Sequence, residues 1–503
     1  MITFENLLKL VSRPGPPNLC VDSRTVKPGD IFIAVKGAKL NGHNFIKQAI
    51  EQGAKFIVID NPNYKPQATS DDLSASGGPE AERRATSSEF ILVDNSARAA
   101  ALLAHAKKGF PADKLTCLAV TGTNGKTTTA YLVRSIIQTA GSRCGLISTV
   151  LYDTGEKLFP SKLTTPDSFT IADITNQMVE AGAEFMVTEA SSHALDQHRL
   201  AGIRFAAAAF TNLTGDHLDY HKTKDNYLAA KTKLFSSLDK NAAAILNKQS
   251  PESEYIAQHT KARLLWYSID APADLTAHIE VMNTTGTTFA LEYQGQKHII
   301  KSPLLGKFNI SNCLAAAGLA IAAGISLDTI CSALSNPAPP PGRLQKVPHE
   351  NPFTVLVDYA HTDDALQNVL ETLKPLCAGK LIVVFGCGGD RDKTKRPRMA
   401  KVAEHFADLI IVTSDNPRTE NPQTIISEII AGFTNPNSSK IKVEPDRYKA
   451  IGIAVENAQK NDVVLIAGKG HENYQILADK TIHFSDQETA TEFLKTKVVS
   501  GLP

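Results

Sequence analysis

Residues 115–141 combine three patterns that follow one another without a break. The apolar run LTCLAV leads into the glycine-rich turn TGTNGKTT, and apolar residues at helical spacing follow in TAYLVRSIIQTAG. A strand, a glycine-rich turn and a helix in this order form a phosphate-binding unit. The sequence therefore predicts an α/β fold whose central domain has a mostly parallel sheet of the P-loop ATPase type.

The glycine-rich turn has the chemistry of a nucleotide site. Glycines let backbone N–H groups close around phosphate oxygens, Lys126 supplies a point charge, and Thr127 can ligate Mg²⁺. The common P-loop has four residues between its glycines and this turn has two, so an ordinary strand-to-helix turn is the alternative. A guanine-specific switch is disfavoured, because residues 247–250 read Asn-Lys-Gln-Ser without an aspartate. The predicted phosphate-binding residues are Gly122, Thr123, Asn124, Gly125, Lys126, Thr127 and Thr128.

A chain of 503 residues predicts about three domains at ~150 residues each. The proline-rich segment 336–343 favours extended backbone and marks one boundary, so we predict domains at 1–98, 99–338 and 339–503. The N-terminal domain is predicted to be small and α/β. Within it, residues 66–89 are almost free of large apolar side chains, which predicts a flexible insertion.

The last 165 residues alternate apolar runs with helical patterns, which predicts a Rossmann-like domain with a parallel sheet. Four of the runs end in polar loops: DYAHTDDAL, GCGGDRDKTKRP, SDNPRTENP and GKGHENY. Ligands bind outside the carboxyl ends of such strands. We therefore predict a binding site at these loops.

Charge and cysteine content exclude several classes of protein. The chain has 53 Lys and Arg against 52 Asp and Glu, so no net field favours nucleic acid or an acidic membrane surface. The seven cysteines are scattered without a CxxC pair, which argues against a disulfide framework or a zinc knuckle. The longest apolar stretch is too short to span a membrane. We expect a cytoplasmic protein with no nucleic-acid or membrane partner.

Two polar clusters after predicted strands indicate a magnesium site. Glu189 begins EASSHALDQHR, and His217 lies in TGDHLDYH. Together with Thr127 they supply the hard oxygens and single imidazole that suit Mg²⁺ beside ATP phosphates. The alternatives are a helix N-terminal acid for Glu189 and a capped surface residue for His217.

Ten motifs in this order resemble the Mur ligase family of peptidoglycan synthesis: TGTNGKTT, EASSHALDQHR, GDHLDYH, NYLAAKTKLF, LGKFNISN, PPGR, DYAHTDDAL, GCGGDRDKTKRP, SDNPR and GKGHE. The resemblance also covers VDSRTVKPGDIFIAVKG near the N-terminus. Within the family, the chain is most similar to the members that add the third amino acid to UDP-N-acetylmuramoyl-L-alanyl-D-glutamate.

The resemblance implies where the sugar nucleotide binds. Ser23 would contact it, with Val21 and residues 38–40 nearby, although Asp22-Ser23 alone reads equally well as a turn or cap. Five further residues would grip the muramoyl-dipeptide: Thr164, Thr165, Ser191, Gln197 and Arg199. Arg199 suits a carboxylate clamp, and a salt-bridged surface arginine is the alternative.

The resemblance also implies a catalytic set of Lys126, Glu189, His217 and Lys231. Lys231 matches the lysine that the family carries as a carbamate, whose oxygens ligate a second Mg²⁺; a plain surface lysine is the alternative. The metal ligands would then be Thr127, Glu189, His217 and Lys231.

Three further residues would bind ATP by resemblance. Asn309 resembles a base contact, and Arg343 and Asp358 correspond to ribose and phosphate contacts from the third domain. Helix capping by Asn309 and a turn salt bridge of Arg343 are the alternatives.

The third domain would choose the amino acid. In the family, Asp-Asn-Pro-Arg marks enzymes that add meso-diaminopimelate, and here the residues are Asp415, Asn416, Pro417 and Arg418. Diaminopimelate has one more carboxylate than lysine, which suits a planar guanidinium. By the same resemblance, Arg391 is a second clamp, and Gly468 and Glu472 receive the amino group. Taken alone, DNPR reads as a type I turn.

The implied reaction is an ATP-dependent, ADP-forming amide ligation through an acyl phosphate, with closure of the domains about residues 336–343. We expect a monomer. The alternatives are a lysine-adding ligase, a folylpolyglutamate-type ligase and, in another class, an ATP-driven switch or binding protein.

Overall fold

The computed structural model describes residues 2–37, 40–64, 88–215 and 217–497, with only the backbone described for 218 and 219. Of the predicted insertion at 66–89, only Ser88 and Glu89 are among the described residues. Ala38 and Lys39, predicted near the sugar nucleotide, also lie outside them.

Within the described residues, the α-helices are α1 (Phe4–Val11), α2 (Ile46–Glu51), α3 (Ser96–Lys107), α4 (Lys126–Thr139), α5 (Ser168–Glu180), α6 (Ser192–Asp196), α7 (Leu218–His221), α8 (Lys224–Ser236), α9 (Glu252–Gln258), α10 (Lys307–Ala322), α11 (Leu327–Ser335), α12 (Asp363–Leu373), α13 (Lys395–Phe406), α14 (Pro422–Ile430), α15 (Arg447–Asn457) and α16 (Asp486–Thr496).

The strands in the same part of the chain are β1 (Leu19–Cys20), β2 (Ile31–Ile33), β3 (Phe56–Ile59), β4 (Glu89–Leu92), β5 (Thr116–Thr121), β6 (Cys144–Ile147), β7 (Leu151–Asp153), β8 (Leu158–Pro160), β9 (Phe185–Glu189), β10 (Phe205–Phe210), β11 (Ala243–Asn247), β12 (Arg263–Ile269), β13 (Leu275–Asn283), β14 (Gly286–Tyr293), β15 (Gln296–Ser302), β16 (Gln345–Lys346), β17 (Thr354–Asp358), β18 (Leu381–Phe385), β19 (Leu409–Val412), β20 (Ile441–Val443), β21 (Val463–Ala467), β22 (Tyr474–Leu477) and β23 (Lys480–His483).

The N-terminal region is a small parallel sheet with strand order β1-β2-β3-β4. Helix α3 packs on this sheet: Ala99, Ala100 and Leu103 share an apolar core with Ile31 and Val58. The predicted domain boundary at 98/99 therefore falls inside a helix of the N-terminal region. Asn95 caps the start of this helix, and its alanine-rich sequence gives little contrast between its polar and apolar faces.

The middle region forms one sheet in the order β15-β14-β13-β12-β11-β10-β5-β9-β6-β7-β8. Strands β13 to β6 in that order are parallel, and antiparallel strands extend both edges. Helices α4 and α10 cover one face, and α5 and α8 cover the other. Burial on both faces explains the continuous apolar runs of the central strands. The predicted parallel α/β sheet is confirmed.

The C-terminal sheet has the order β16-β17-β21-β18-β19-β20, with only β16 antiparallel among these strands. The four polar loops follow β17, β18, β19 and β21, which are neighbours in the sheet. The loops therefore meet at one edge. Leu305 and Phe308 of the middle region pack into the apolar core of this domain beside α12 and connect the two regions.

Among the described residues, no helix combines the length and the apolar character that a bilayer span requires.

His105 of α3 is buried where the N-terminal and middle regions meet, beside Gly202. Neither ring nitrogen has a hydrogen-bond partner among the described residues, and burial lowers the pKa of the imidazole to about 4. Between about pH 6.5 and pH 4, the unfolded chain binds a proton that the folded chain excludes, so stability falls as pH falls.

We therefore expect the wild-type protein to lose about 2 kcal/mol of unfolding free energy between pH 7 and pH 5 relative to a His105→Leu variant. Thermal unfolding of both proteins at the two pH values measures the difference. His259→Leu, at an exposed histidine, is the control and should follow the wild type. Parallel pH dependence of wild type and His105→Leu would contradict the prediction.

Candidate active site

The glycine-rich loop joins β5 to α4 in the centre of the middle sheet. Gly122 and Gly125 have φ values of 149° and 88°, in the range that favours glycine. A Cβ atom on Gly122 would collide with the Thr211 hydroxyl, and one on Gly125 would collide with the Asn312 side chain. No side chain caps α4 at Gly125, and the N–H groups of a first helical turn are the donors that bind anions at a helix N-terminus.

A cavity of about 240 Å³ opens beside this loop. Its walls combine residues 123–128, Thr149, Thr164, Glu189 and His217 of the middle region with Arg343, Tyr359, His361 and Asp364 of the C-terminal region. The two regions also make direct hydrogen bonds across it. Asp364 Oδ2 accepts from Asn124 Nδ2 at 2.9 Å and from Thr214 Oγ1 at 3.0 Å. The cavity is therefore a cleft shared by two domains.

The side chains of the loop are held close to the cavity. Lys126 Nζ donates to the carbonyl oxygens of Gly122 at 3.0 Å and Thr123 at 2.8 Å. Thr127 Oγ1 donates to Glu189 Oε2 at 2.9 Å. The loop thus contributes one ammonium and one hydroxyl to the wall of the cavity.

Glu189 is completely buried at the end of β9. Its carboxylate accepts from the Thr149 backbone N–H at 2.8 Å and from the Thr149 hydroxyl at 3.2 Å. Burial raises the pKa of this carboxyl, and Lys126 and the hydrogen bonds from Thr149 and Thr127 oppose the rise. The residue is a functional-site candidate because its desolvated charge faces a cleft rather than an ion-pair network.

The residues at this site fit a magnesium ion. Mg²⁺ takes one or two protein oxygen ligands together with substrate phosphates and water, and Thr127 Oγ1 and the Glu189 carboxylate are adjacent. His217 lines the same cavity, with its ring 4.8 Å from that of His193. Among the described residues, no three His, Cys, Asp or Glu side chains form a group that could hold a metal ion by themselves.

Lys231 is buried in α8, with 1% of its surface exposed. Its Nζ donates to Gly122 O at 2.7 Å and lies 4.5 Å from the centre of the Tyr227 ring. The surface-lysine alternative is therefore wrong. The amine is held against the phosphate loop itself.

Three of the five residues predicted to grip the dipeptide lie near Glu189. Thr164 accepts a hydrogen bond from the Thr149 hydroxyl at 3.0 Å, and Thr165 Oγ1 donates to the Glu189 carbonyl at 2.6 Å. The Ser191 backbone N–H donates to the Thr165 hydroxyl at 3.1 Å, and the Ser191 side chain caps α6.

Gln197 and Arg199 form the outer part of this group. The Arg199 guanidinium donates to Gln197 Oε1 at 2.7 Å and to Thr165 O at 2.8 Å. It is half-buried, and burial lowers its pKa. Of the predicted dipeptide residues, Thr164 lines the cavity, and Arg199 is linked to Thr165 by a hydrogen bond.

The predicted ATP contacts of the second and third domains occupy different positions. Arg343 lines the cavity, with its guanidinium 4.6 Å from the Tyr359 ring centre. Asp358 is buried behind it and accepts from the backbone N–H groups of Leu344 at 2.6 Å and Ala360 at 2.7 Å. Burial raises the pKa of Asp358, and Arg343 opposes the rise.

Asn309 is buried below the loop and is not part of the described cavity wall. Its Nδ2 donates to Leu305 O at 2.8 Å, and its Oδ1 accepts from Asn312 Nδ2 at 3.2 Å. Both ends of the amide are therefore used inside the protein. In this structure Asn309 supports Asn312, which packs against Gly125, and does not face the cleft.

The residues predicted to select the amino acid converge at the C-terminal sheet edge. Arg418 Nη1 donates to Gly389 O at 2.8 Å, and a Cβ atom on Gly388 would lie 2.9 Å from this nitrogen and 3.9 Å from Arg391 Cγ. The side chains of Arg418 and Arg391 thus both lie against Gly388. The Nε and Nη2 atoms of Arg418 donate to no atom of the described residues. They are therefore available to a carboxylate.

The other members of this group are Asp415, Asn416, Pro417, Gly468 and Glu472. Asn416 Nδ2 donates to Glu472 Oε2 at 2.9 Å. Gly468 has a φ of 120°, and a Cβ atom there would lie 2.8 Å from Asp415 Oδ2. Gly389 donates its N–H to Asn416 O, which connects the loops after β18 and β19 across Pro417.

Ser23 lies apart from the cleft, in the N-terminal region. Its hydroxyl donates to Gln48 Oε1 at 2.7 Å, and its side chain is buried. Asp22 caps the short helix Ser23–Thr25, and Arg24 lowers the pKa of its carboxyl to about 2. Both the turn and the cap that the sequence allowed are therefore present.

Eight cleft residues were not predicted as site residues: Thr149, Thr214, Gly215, Tyr359, His361, Thr362, Asp364 and Ala365. The last five lie in DYAHTDDAL, one of the polar loops that follow strands. Their role could have been suspected from that position, but the direction of each side chain depends on how two domains meet.

Comparison with known proteins agrees with this arrangement. The Mur ligase family catalytic domain matches residues 18–108, the middle domain residues 120–320, and the glutamate ligase domain residues 342–470. Over 496 residues, the chain is 41% identical to the UDP-N-acetylmuramoyl-L-alanyl-D-glutamate–2,6-diaminopimelate ligase of Geobacillus thermodenitrificans, covering 97% of each chain.

Solved structures give the same result. A structure titled as UDP-N-acetylmuramoyl-L-alanyl-D-glutamate–2,6-diaminopimelate ligase superposes with a TM-score of 0.67 at 32% identity and 95% coverage of both chains. MurF ligase from Thermotoga maritima in complex with ADP shares the fold, with a TM-score of 0.59 at 19% identity and coverage of 97% and 98%. Since all three domain models match in order and a relative at 41% identity spans nearly the whole length, this chain belongs to the Mur ligase family.

Proposed function

We propose that this chain is an ATP-dependent, ADP-forming ligase that adds meso-diaminopimelate to the D-glutamate of UDP-N-acetylmuramoyl-L-alanyl-D-glutamate, a step of peptidoglycan precursor synthesis. The single observation that carries the proposal is the shared cleft. The phosphate loop with Lys126, the buried Glu189 and the C-terminal Arg343 surround one cavity, and the Arg418 loops lie at the adjoining sheet edge.

The reaction joins an amine to a carboxylate, which requires activation of the carboxylate. The γ-carboxylate of the bound D-glutamate attacks the γ-phosphorus of ATP, the bond to the β–γ bridging oxygen breaks, and ADP leaves. The amine then attacks the acyl carbon, and phosphate departs with one former carboxylate oxygen. Lys126 stabilises the negative charge that develops on the transferred group, because its ammonium is already fixed at the loop.

Mg²⁺ would be held by Thr127 and Glu189, with His217 beside them, and it would neutralise charge on the phosphate oxygens. For Lys231 we propose the carbamate: the ammonium first loses one proton, and the neutral amine then adds CO₂ and loses a second proton, so that a buried cation becomes an anion with two ligand oxygens. The position of Lys231 against Gly122 supports this role.

Binding of the substrates is assigned to three places. Arg199 and Gln197, with Thr164, Thr165 and Ser191, would hold the dipeptide end, and the N-terminal region near Ser23 would hold the uridine nucleotide. The Arg418 and Arg391 guanidinium groups would hold the distal carboxylate of diaminopimelate, and Glu472 and Gly468 its amino group. Arg343 and the buried Asp358 would contact the ATP ribose and phosphates, and Asn309 would support this site from below the loop.

We further propose a cytoplasmic monomer with domains divided after about residue 108 and near residue 338. The first division follows α3, and the second lies in the proline-rich connector. Both divisions are compatible with closure of the C-terminal domain over the nucleotide.

The test supplies ATP, Mg²⁺ and the UDP-muramoyl-dipeptide with either meso-diaminopimelate or L-lysine, and identifies the product by mass. We expect the tripeptide product with meso-diaminopimelate, and phosphate release only when both substrates are present. Product with L-lysine alone would support the lysine-adding alternative. Phosphate release without either substrate would support an ATP-driven switch.

A further inference from the structure

Lys469 of the GKGHE loop is a fully enclosed cation at the predicted amino-acid site. The residue follows β21 by two positions and its side chain is 0% exposed. Its Nζ donates to Asn416 Oδ1 at 3.2 Å and to Glu472 Oε2 at 3.1 Å, and it lies 3.6 Å from Asp415 Oδ1. The ammonium thus contacts three residues of the predicted amino-acid site.

The chemistry of the ammonium fixes the orientation of the Asn416 amide. Lysine has three donors and no acceptor, so only the oxygen of the amide can face it. The backbone N–H of Ile476 donates to the same oxygen at 2.9 Å. The amide nitrogen must then point the other way, and it donates to Glu472 Oε2 at 2.9 Å.

The charge of Lys469 also balances two carboxylates. Asp415 is buried and Glu472 is half-buried, and both lie within 4 Å of the ammonium. Removal of one member of a buried ion pair leaves the other charge uncompensated, so the carboxylate takes up a proton or moves toward water. Glu472 is the member that can move, because it is less enclosed than Asp415.

We propose that Lys469 is a positioning residue that holds Asn416 and Glu472 in the geometry that receives the amino group of the incoming diamino acid. The proposal rests on the proposed function. Binding groups that are oriented before the substrate arrives lose less free energy on binding. Loss of Lys469 should therefore weaken binding of the amino acid and leave binding of the nucleotide unaffected.

The test compares Lys469→Met with the wild-type full chain. Methionine retains an unbranched apolar stem and removes the charge. We expect the KM for meso-diaminopimelate to rise at least about 10-fold, with the KM for ATP and for the UDP-muramoyl-dipeptide changed less than about 2-fold. Lys440→Met is the matched control, since Lys440 is a partly buried lysine of the same domain whose Nζ donates to the Glu404 carbonyl oxygen, and it should leave all three KM values unchanged.

A double-mutant cycle with Glu472→Gln shows whether Lys469 acts through Glu472. On the Glu472→Gln background, the further change Lys469→Met should raise the KM for meso-diaminopimelate less than it does in the wild type, because only the contact with Asn416 remains to be lost. The double variant also keeps the proposal testable if Lys469→Met alone does not fold. It removes one positive and one negative charge, so the local net charge is that of the wild type.

An unchanged KM for meso-diaminopimelate in folded Lys469→Met would overturn the proposal, and so would a full additional rise on the Glu472→Gln background. An equal rise in the KM for ATP would also overturn it, since that result indicates general damage to the domain. Wild-type protein that makes no product with meso-diaminopimelate would overturn the proposed function and this proposal together. If the wild type is active, the Lys469 variants test this proposal alone.

Discussion

Replacing Lys126 with alanine should lower kcat at least about 10³-fold while the protein remains folded. The side chain hydrogen-bonds to the loop carbonyls of Gly122 and Thr123 and lies at the cavity wall, so its removal opens no apolar core. What is lost is the fixed positive charge beside the transferred phosphoryl group. ADP formation in the presence of all substrates measures the effect, and the melting temperature reports the fold.

Lys240→Ala is the matched control for this experiment, because Lys240 is an exposed lysine of the same domain. It should retain wild-type kcat. If Lys126→Ala kept more than about a tenth of wild-type turnover, the loop would not be the phosphoryl-transfer site that we assign.

Replacing Arg418 with alanine should raise the KM for meso-diaminopimelate about 10²-fold, with a small effect on L-lysine. Arg418 has a φ of 53°, and its backbone pairs with that of Leu477. This pairing fixes the position from which the Arg418 side chain extends. One nitrogen is held by Gly389 O, so the remaining donors are oriented before a carboxylate arrives. Steady-state kinetics with each amino acid measures the change in selectivity.

Arg418→Lys should restore little of this affinity, because an ammonium cannot present two parallel donors to a carboxylate. Lys401→Ala, at an exposed lysine of α13, is the charge control and should behave as the wild type. A similar loss of affinity for both amino acids in Arg418→Ala would show that the residue does not bind the extra carboxylate of diaminopimelate.

The central and C-terminal strands could be predicted because both of their faces are buried. Residues 381–385 and 463–467 are entirely buried and apolar, so the sequence shows them as continuous runs. Two exposed strands were missed for the opposite reason. Strand β23 is exposed along its whole length, and β15 alternates exposed and buried residues among lysines and glutamine. Such strands are specified by pairing with a neighbour rather than by their own apolar content.

The site was predictable at the level of loops and less so at the level of side chains. The phosphate loop and the polar loops of the C-terminal sheet follow from local pattern and from the rule that ligands bind at carboxyl strand ends. The inward turn of Asn309 and the contact of Asp364 with Asn124 depend on the packing of one region on another. No local pattern encodes these contacts, because residues distant in the chain decide them.

The most direct test of the account follows an oxygen atom from the acid to the phosphate. UDP-N-acetylmuramoyl-L-alanyl-D-glutamate labelled with ¹⁸O in both γ-carboxylate oxygens is incubated with ATP, Mg²⁺, meso-diaminopimelate and the enzyme. We expect each released phosphate to carry one ¹⁸O atom and the new amide to retain the other. Label in AMP, or phosphate without label, would contradict activation through an acyl phosphate in the shared cleft.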